Sequence, residues 1–390
     1  MSKGVNSIMA SRRKKKAQAQ LEEQGYVSRS QAQMIWQAFR RHRVGNVGTV
    51  IVLLFLLVAI FAQYIGPMSF SYQSRKHPFA PPTTVHWRDD DGSLSRPYVY
   101  ATTRAIDPAT YAAIFTEDIS KKYYIRFFVT GGSQHNLFGF IPTTGHLFAA
   151  RADDGTEAPV FLLGTDMLGR DMFTRCLVGS WVSLAVGPLV ILIAFPLGIL
   201  LGGISGYYGG GVDMFIQRVC EVFLAIPGLP ILMAMGAALR GFGLSAMMVF
   251  FGVIVSLAII SWGGFARVIR GQVLAIREMD FVTAASAAGA SDLRIIVRHI
   301  TPNITSYLIV SATLQIPGMM LTEAALSFLG YGIQEPMTSW GQLLNAATNI
   351  GAMELHPWIL IPGAFIVVAV LAFNFMGDAL RDAVDPYSIL

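Results

Sequence analysis

Charged residues are scarce in this sequence: 14% of its 390 residues are Asp, Glu, Lys or Arg, where a soluble globular chain carries roughly a quarter. Hydrophobic residues make up 53%, and they lie in long uncharged runs of the kind that need lipid, which excludes an ordinary soluble domain. Cysteine is almost absent. Cys176 and Cys220 are the only two, and the predicted helix placement sets them on opposite sides of a membrane, which excludes a disulfide framework and a thiolate metal site. The seven histidines, His42, His77, His86, His135, His146, His299 and His356, show no metal-ligand spacing. No Ser/His/Asp arrangement falls at a common membrane depth, which argues against an intramembrane enzyme. No Gly-Lys dipeptide occurs, and with it goes the phosphate-cradling loop of an ATPase. The net charge of +5 does not point to nucleic acid, because the basic residues cluster beside apolar runs, where they orient a membrane protein.

What is present falls into five parts. Residues 1–46 read as a cytoplasmic basic tail, with Arg12, Arg13, Lys14, Lys15 and Lys16 in one block and an amphipathic segment around Met34, Ile35, Trp36 and Phe39 suited to the headgroup layer. Residues 47–65 form the first transmembrane helix; the long preceding tail and the absence of a small-x-small cleavage site argue against a signal peptide. Residues 66–175 are charged, proline-rich and strand-like in places, an extracytoplasmic insertion of mixed or irregular structure. Residues 176–380 hold five further spans, at about 179–206, 222–239, 244–264, 303–328 and 357–376, with Glu323 their single charge. Residues 381–390 form a cytoplasmic tail. The expected fold class is therefore all-α integral membrane with about six transmembrane helices. Arg267, Arg270, Arg277, Arg294 and Arg298 mark the loop 265–302 as cytoplasmic, since no Lys or Arg follows Pro302 until Arg381. Six spans put both termini on that side.

That loop carries the most information. Asp280 can cap a first helix, alanines favour its interior, and Gly289 suits the left-handed residue that ends it. Ser291 or Asp292 then caps a second helix that Pro302 is expected to interrupt. An alanine-faced helix jutting from a membrane protein buries little of its own and is shaped for a partner's groove. The loop resembles that of the permease subunits of ABC importers, which carry Glu-Ala-Ala, three residues, Gly, nine residues, then Ile-x-Leu-Pro. Ala284, Ala285, Gly289 and Pro302 match at that spacing, while Thr283, His299 and Thr301 replace the Glu, Ile and Leu. Glu323-Ala324-Ala325 has the literal letters, but its next glycine, Gly330, is one residue too far.

Two stretches narrow the resemblance to the C-type subunit of the dipeptide/oligopeptide branch: Leu163–Arg175, just before the second span, and Gly377–Pro386. Leu326–Gly332 with Ser339-Trp340-Gly341 is similar to that branch too. The resemblance implies a type I ABC importer permease fold in the cytoplasmic (inner) membrane of a prokaryote. It implies a second permease subunit, two ATPase subunits or one fused ATPase, and an extracytoplasmic solute-binding protein. No cofactor is expected in this chain, since the partners would bind ATP and Mg. Asp280, Thr283, Ala284, Ala285, Gly289, Asp292, Arg294, Arg298 and Pro302 would form the ATPase-coupling loop. Asp166, Arg170, Asp171 and Arg175 read either as an interfacial charge cluster serving local structure or as a docking or gating site for a delivery protein. Glu323 reads as a pathway contact or as a capped helix end facing an aqueous cavity. Peptides are the expected substrate, with nickel chelates and glutathione as alternatives. Topology alone also admits an ion-gradient-driven secondary transporter, but nearly charge-free spans without an apparent repeat argue against it.

Overall fold

The computed structural model describes residues 31–385 except 90, 110–112, 132–134 and 138–140. The Arg12–Lys16 block and residues 386–390 lie outside the described residues. An amphipathic helix α1 (Gln31–Arg41) precedes α2 (Arg43–Ile60) and the short α3 (Ala62–Ile65). Then come seven strands, β1 (His86–Arg88), β2 (Leu94–Ile106), β3 (Ala113–Val129), β4 (His135–Leu137), β5 (Ile141–Thr143), β6 (His146–Arg151) and β7 (Glu157–Ala158). The helical remainder runs α4 (Met172–Tyr208), α5 (Gly210–Ala225), α6 (Gly228–Gly241), α7 (Ala246–Ile276), α8 (Asp280–Ala287), α9 (Asp292–Ile295), a π-helical turn Ile296–Ile300, α10 (Thr301–Phe328), α11 (Trp340–Leu344), α12 (Ile350–Leu355) and α13 (Ile361–Val384).

The insertion is more regular than its composition suggested. β1-β2-β3-β6-β7 form a five-stranded sheet, and β4 and β5 a separate hairpin; every pairing is antiparallel. The irregular look of the sequence comes from a register shift between Tyr100 and Ala101, which breaks the alternation on which a strand is recognised.

Five helices among the described residues are long and apolar enough to cross a membrane, and α5 with α6, bent by 81° at the Ile226-Pro227 break, passes the same test as a pair. The expected single span at 222–239 is thus corrected: its first half starts at Gly210, and Pro227 breaks it because proline cannot donate to the helix ladder. The pair does run from one end of the bundle to the other. At its start, Asp213 binds Arg270 of α7 at 2.5 and 2.6 Å. At its finish, Gly236 packs so tightly on the Tyr331 carbonyl, just past α10, that a Cβ there would lie 2.2 Å from the oxygen.

The remaining crossings follow from similar contacts. His42, capping α2, lies 3.5 Å from Asp382 near the end of α13, while Gly66 meets Thr174 at the start of α4. Gly45 and Gly48 let α2 approach α13 closely, since a Cβ at Gly48 would stand 2.5 Å from the Ala372 carbonyl oxygen. Six crossings therefore place Gln31, Asp385, Arg270 and the α8–α9 turn at one end, the elbow end, and the sheet at the other. Cys176 lies at the sheet end of α4 and Cys220 in α5 towards the elbow end, both buried. Of the amphipathic segment, Phe39 packs on Ala379 and Ala383 of α13, and Trp36 is exposed.

Candidate functional site

The elbow is built by local rules with two departures from expectation. Met279, rather than Asp280, is the N-cap of α8, with no side-chain cap bond; Asp280 sits in the first turn, where its charge still favours the helix dipole. The helix ends as predicted. Gly289 has φ +81, its N–H donates to the Ser286 carbonyl at 2.9 Å and the Ala290 N–H to the Ala285 carbonyl at 3.1 Å, the paired bonds of a Schellman stop. No atom lies within 4 Å of a Cβ placed at Gly289, so backbone conformation, and not crowding, demands glycine there. Val282 is the buried foot of α8, while Phe281, Thr283, Ala284, Ser286 and Ala287 are exposed and Ala285 half-buried.

Pro302 does not interrupt the following helix. Asp292–Phe328 runs on as one 37-residue segment. The turn Ile296–Ile300 adopts π geometry, with the Thr301 N–H reaching back five residues to the Ile296 carbonyl. The widened turn accommodates the ring that would clash in an α-helix. Of the two cap candidates it is Ser291 that stands at the N-cap of α9, without a side-chain cap bond; the Asp292 carboxylate instead accepts from Tyr207 Oη at 3.3 Å and Tyr208 Oη at 2.8 Å, tying the second limb of the elbow to the end of α4. Arg277 Nη1 donates to the Gly206 carbonyl at 3.2 Å, and Asp213 accepts from Ser205 Oγ at 2.5 Å besides its two bonds to Arg270. Ile295, Ile296 and Ile300 are buried, whereas Leu293, Arg294, Val297 and Arg298 are exposed. The expected coupling residues are thus brought together, on a limb that is braced at its base and bare along its outer face. Sequence reasoning missed Tyr207, Tyr208 and Asp213; their signal was a polar cluster directly beyond an apolar run.

At the sheet end Asp166, Arg170, Asp171 and Arg175 gather around the start of α4, on the side turned to the loop between α10 and α11. Asp166, Asp171 and Arg175 are buried. Asp166 accepts from Arg170 Nε at 2.6 Å, and Arg170 Nη1 reaches Glu335 at 3.0 Å. Arg175 Nη2 donates to Glu335 Oε1 at 2.6 Å and to Thr338 Oγ1 at 3.3 Å. Asp171 caps α4 through Phe173 N–H, Thr174 N–H and Thr174 Oγ. These charges clamp α4 to the loop between α10 and α11, because a buried guanidinium must find several acceptors. Glu335 was missed, although it is the lone charge between Leu329 and Trp340.

Burial pushes the Asp171 carboxyl from the usual 3.8 up to about 6, against the pull of its hydrogen bonds and with a smaller push from Asp166. Its folded value is raised, so the stability it contributes is full below 3.8 and is lost as pH rises through about 6. Asp171→Asn keeps an oxygen for the cap without ionising. Thermal unfolding across this pH range should show the parent losing stability relative to the variant as pH rises; parallel profiles would refute the assignment.

Glu323 does not face an aqueous cavity. It is fully buried and its Oε1 accepts from Ser327 Oγ at 2.7 Å and Ser339 Oγ at 2.8 Å. It ties α10 to the turn that presents Trp340. That indole, also fully buried, donates from Nε1 to the Cys176 carbonyl at 2.9 Å, and Ser183 Oγ receives its backbone N–H at 2.9 Å. The Ser339-Trp340-Gly341 motif is therefore a plug that fixes α4, α10 and α11 at the sheet end.

Comparisons with known proteins fit this geometry. Residues 194–388 match the model for the binding-protein-dependent transport system inner membrane component, and residues 30–82 match the N-terminal TM domain of oligopeptide transport permease C. The Haemophilus influenzae oligopeptide transport system permease protein OppC is 40% identical over 57% of this chain and 69% of its own length. The Bacillus subtilis dipeptide transport system permease protein DppC is 41% identical over 57% of this chain and 68% of its own. The Pectobacterium atrosepticum glutathione transport system permease protein GsiD is 41% identical over 57% of this chain and 72% of its own. A bundle with an exposed small-residue elbow at its base, matched over half its length by one family model and over two thirds of these permeases, belongs to the binding-protein-dependent transport system inner membrane component family.

Proposed function

We propose that this chain is the C-type permease subunit of an ATP-driven importer that moves peptides across the cytoplasmic membrane of a prokaryote. The observation that carries the reading is the elbow, a braced turn whose outer face is bare, and the family match supports an ATPase subunit as what covers it. ATP and Mg belong to separate ATPase subunits in this reading, with α8 seated in their groove through Thr283, Ala284, Ala285 and the Gly289 turn. A second permease subunit completes the pathway and a solute-binding protein delivers cargo to the sheet end. Arg267, Arg270, Arg277, Arg294 and Arg298 at the elbow end support a cytoplasmic elbow with both tails on the same side.

Closure of the ATPases on nucleotide would carry the elbow with it. The bracing at Asp292 and Asp213 transmits that displacement to α4, α5 and α7 as a rigid unit, and the coupling requires that nucleotide bind the two states with different affinity. Glutathione is the second reading, since the identity to a glutathione permease, 41%, equals that to a dipeptide permease and does not separate the two substrates.

The test is uptake by the co-purified complex in proteoliposomes, with labelled oligopeptides and glutathione offered separately. Uptake that requires ATP on the side of the membrane where the ATPase subunits sit, and persists when proton and sodium gradients are collapsed, is expected. Uptake that follows an ion gradient without ATP would contradict the proposal.

A further inference from the structure

The sheet does not stand clear of the helix bundle. His146 Nδ1 lies 2.8 Å from the Gly66 carbonyl, a Cβ on Gly145 would be 3.7 Å from the Tyr64 ring, and the Phe148 ring is 6.4 Å from that of Phe173. These contacts fix the lower ends of β3 and β6 beside the point where the first span leaves the membrane. From Arg43 to Ile60, α2 rises about 27 Å at 1.5 Å per residue, and α3 completes the roughly 30 Å of hydrocarbon. Gly66 therefore marks the headgroup boundary.

In β3, Phe127 pairs with Phe148 and Val129 with His146. One strand spacing of about 4.8 Å and one or two residues of about 3.3 Å separate Phe127 and Phe128 from the His146–Gly66 contact. Phe128 has φ +55, a left-handed conformation that interrupts the alternation of side chains. Both rings are bare, Phe127 61% and Phe128 74% exposed. The β4–β5 hairpin, whose Ile141 is also exposed, lies against α3. The charges around this patch are already matched within the chain: Arg126 with Asp153 and Arg151 with Glu157. It offers apolar rings beside matched charges, close to the end of α2, whose Leu53, Leu54, Leu57 and Ile60 are exposed.

We propose that Phe127 and Phe128, with Ile141, seat the sheet domain in the outer headgroup layer of the bilayer, as interfacial aromatic residues do. The sheet is thereby held by lipid as well as by the His146–Gly66 contact, and its free β2–β3 arm is aimed away from the membrane. The proposal rests on the reading of the bundle as membrane-spanning, and the experiment separates the two.

Both native cysteines are buried, so a cysteine introduced at one position can be labelled selectively with a nitrobenzoxadiazole fluorophore. The full chain carrying Phe128→Cys, Leu57→Cys or Ile119→Cys is reconstituted into nanodiscs of phosphatidylcholine and phosphatidylglycerol, with and without nitroxide lipids. Ile119 is 69% exposed on the distal part of β3 and serves as the water-facing reference. A headgroup nitroxide should at least halve emission at position 128 and leave position 119 unchanged, while an acyl-chain nitroxide quenches position 57. Position 128 behaving like position 119 overturns the proposal but leaves the spanning reading intact. Loss of quenching at position 57 overturns the spanning reading itself. Quenching at position 128 that disappears in the assembled transporter means that a protein covers the rings, and this also overturns the proposal. Should Phe128→Cys fail to fold, Ile141→Cys is read in the same way, with the same two outcomes.

Discussion

Gly289→Val is expected to lower ATP-driven uptake by roughly tenfold or more while the helix bundle unfolds at an almost unchanged temperature. Gly289 sits at φ +81 with open space around its Cα. A β-branched residue meets no neighbour there, but it is strained by about 1–3 kcal/mol in the left-handed region. About 2 kcal/mol is roughly a thirtyfold shift away from the seated turn. The elbow is exposed and can relax locally, so the loss falls on coupling and not on folding. Gly289→Asn is the control, because asparagine tolerates the left-handed conformation and should retain most of the uptake. Measured side by side in the reconstituted complex, ATP hydrolysis should outlast uptake in the valine variant. Normal uptake in that variant would remove the elbow from the mechanism.

Arg175→Met should be the most destabilising of the charge substitutions, by about 3 kcal/mol. The clamp holds two guanidiniums, Arg170 and Arg175, against the carboxylates Asp166 and Glu335, so removing one arginine leaves a single cation between two acids, one buried and one half-exposed. Methionine fills most of the volume, so the loss reads the charge and the Thr338 hydrogen bond and not a cavity. Glu335, whose side chain is 43% exposed, can regain water, and Glu335→Gln should cost about 1 kcal/mol. Thermal unfolding in detergent, with both variants beside the parent, checks the order. Equal losses would mean that the clamp is not the anchor of α4.

Much of this architecture was legible from the sequence, because lipid imposes a length and a composition that a chain cannot disguise. The number of crossings, the Gly289 turn and the end of the bundle shared by Arg270, Arg277 and the α8–α9 turn follow from those constraints. What stayed hidden depended on partners distant in sequence. Asp292 looked like a helix cap because the tyrosines that claim it are at 207 and 208. Asp166 and Arg175 looked like surface charge because Glu335 lies 160 residues from Arg175. Glu323 looked exposed because its serine partners come partly from beyond α10. Pro302 was read as a stop because one π turn, worth a single extra residue, leaves no pattern in the letters. The bend at Ile226-Pro227 was visible as a proline, but its place within a crossing was not, since Gly210–Ala225 carries charges that short apolar windows reject.

The direct measurement is the side of the membrane on which Ser291 lies. A cysteine at this exposed position, in a chain whose two native thiols are buried, is offered a membrane-impermeant maleimide in intact cells and in inside-out vesicles, with Ile119→Cys as the opposite marker. Labelling of position 291 only in inside-out vesicles, and of position 119 only once the outer envelope is opened, is the predicted result. Labelling of position 291 from outside the cell would leave the elbow with no ATPase to engage and would contradict the account.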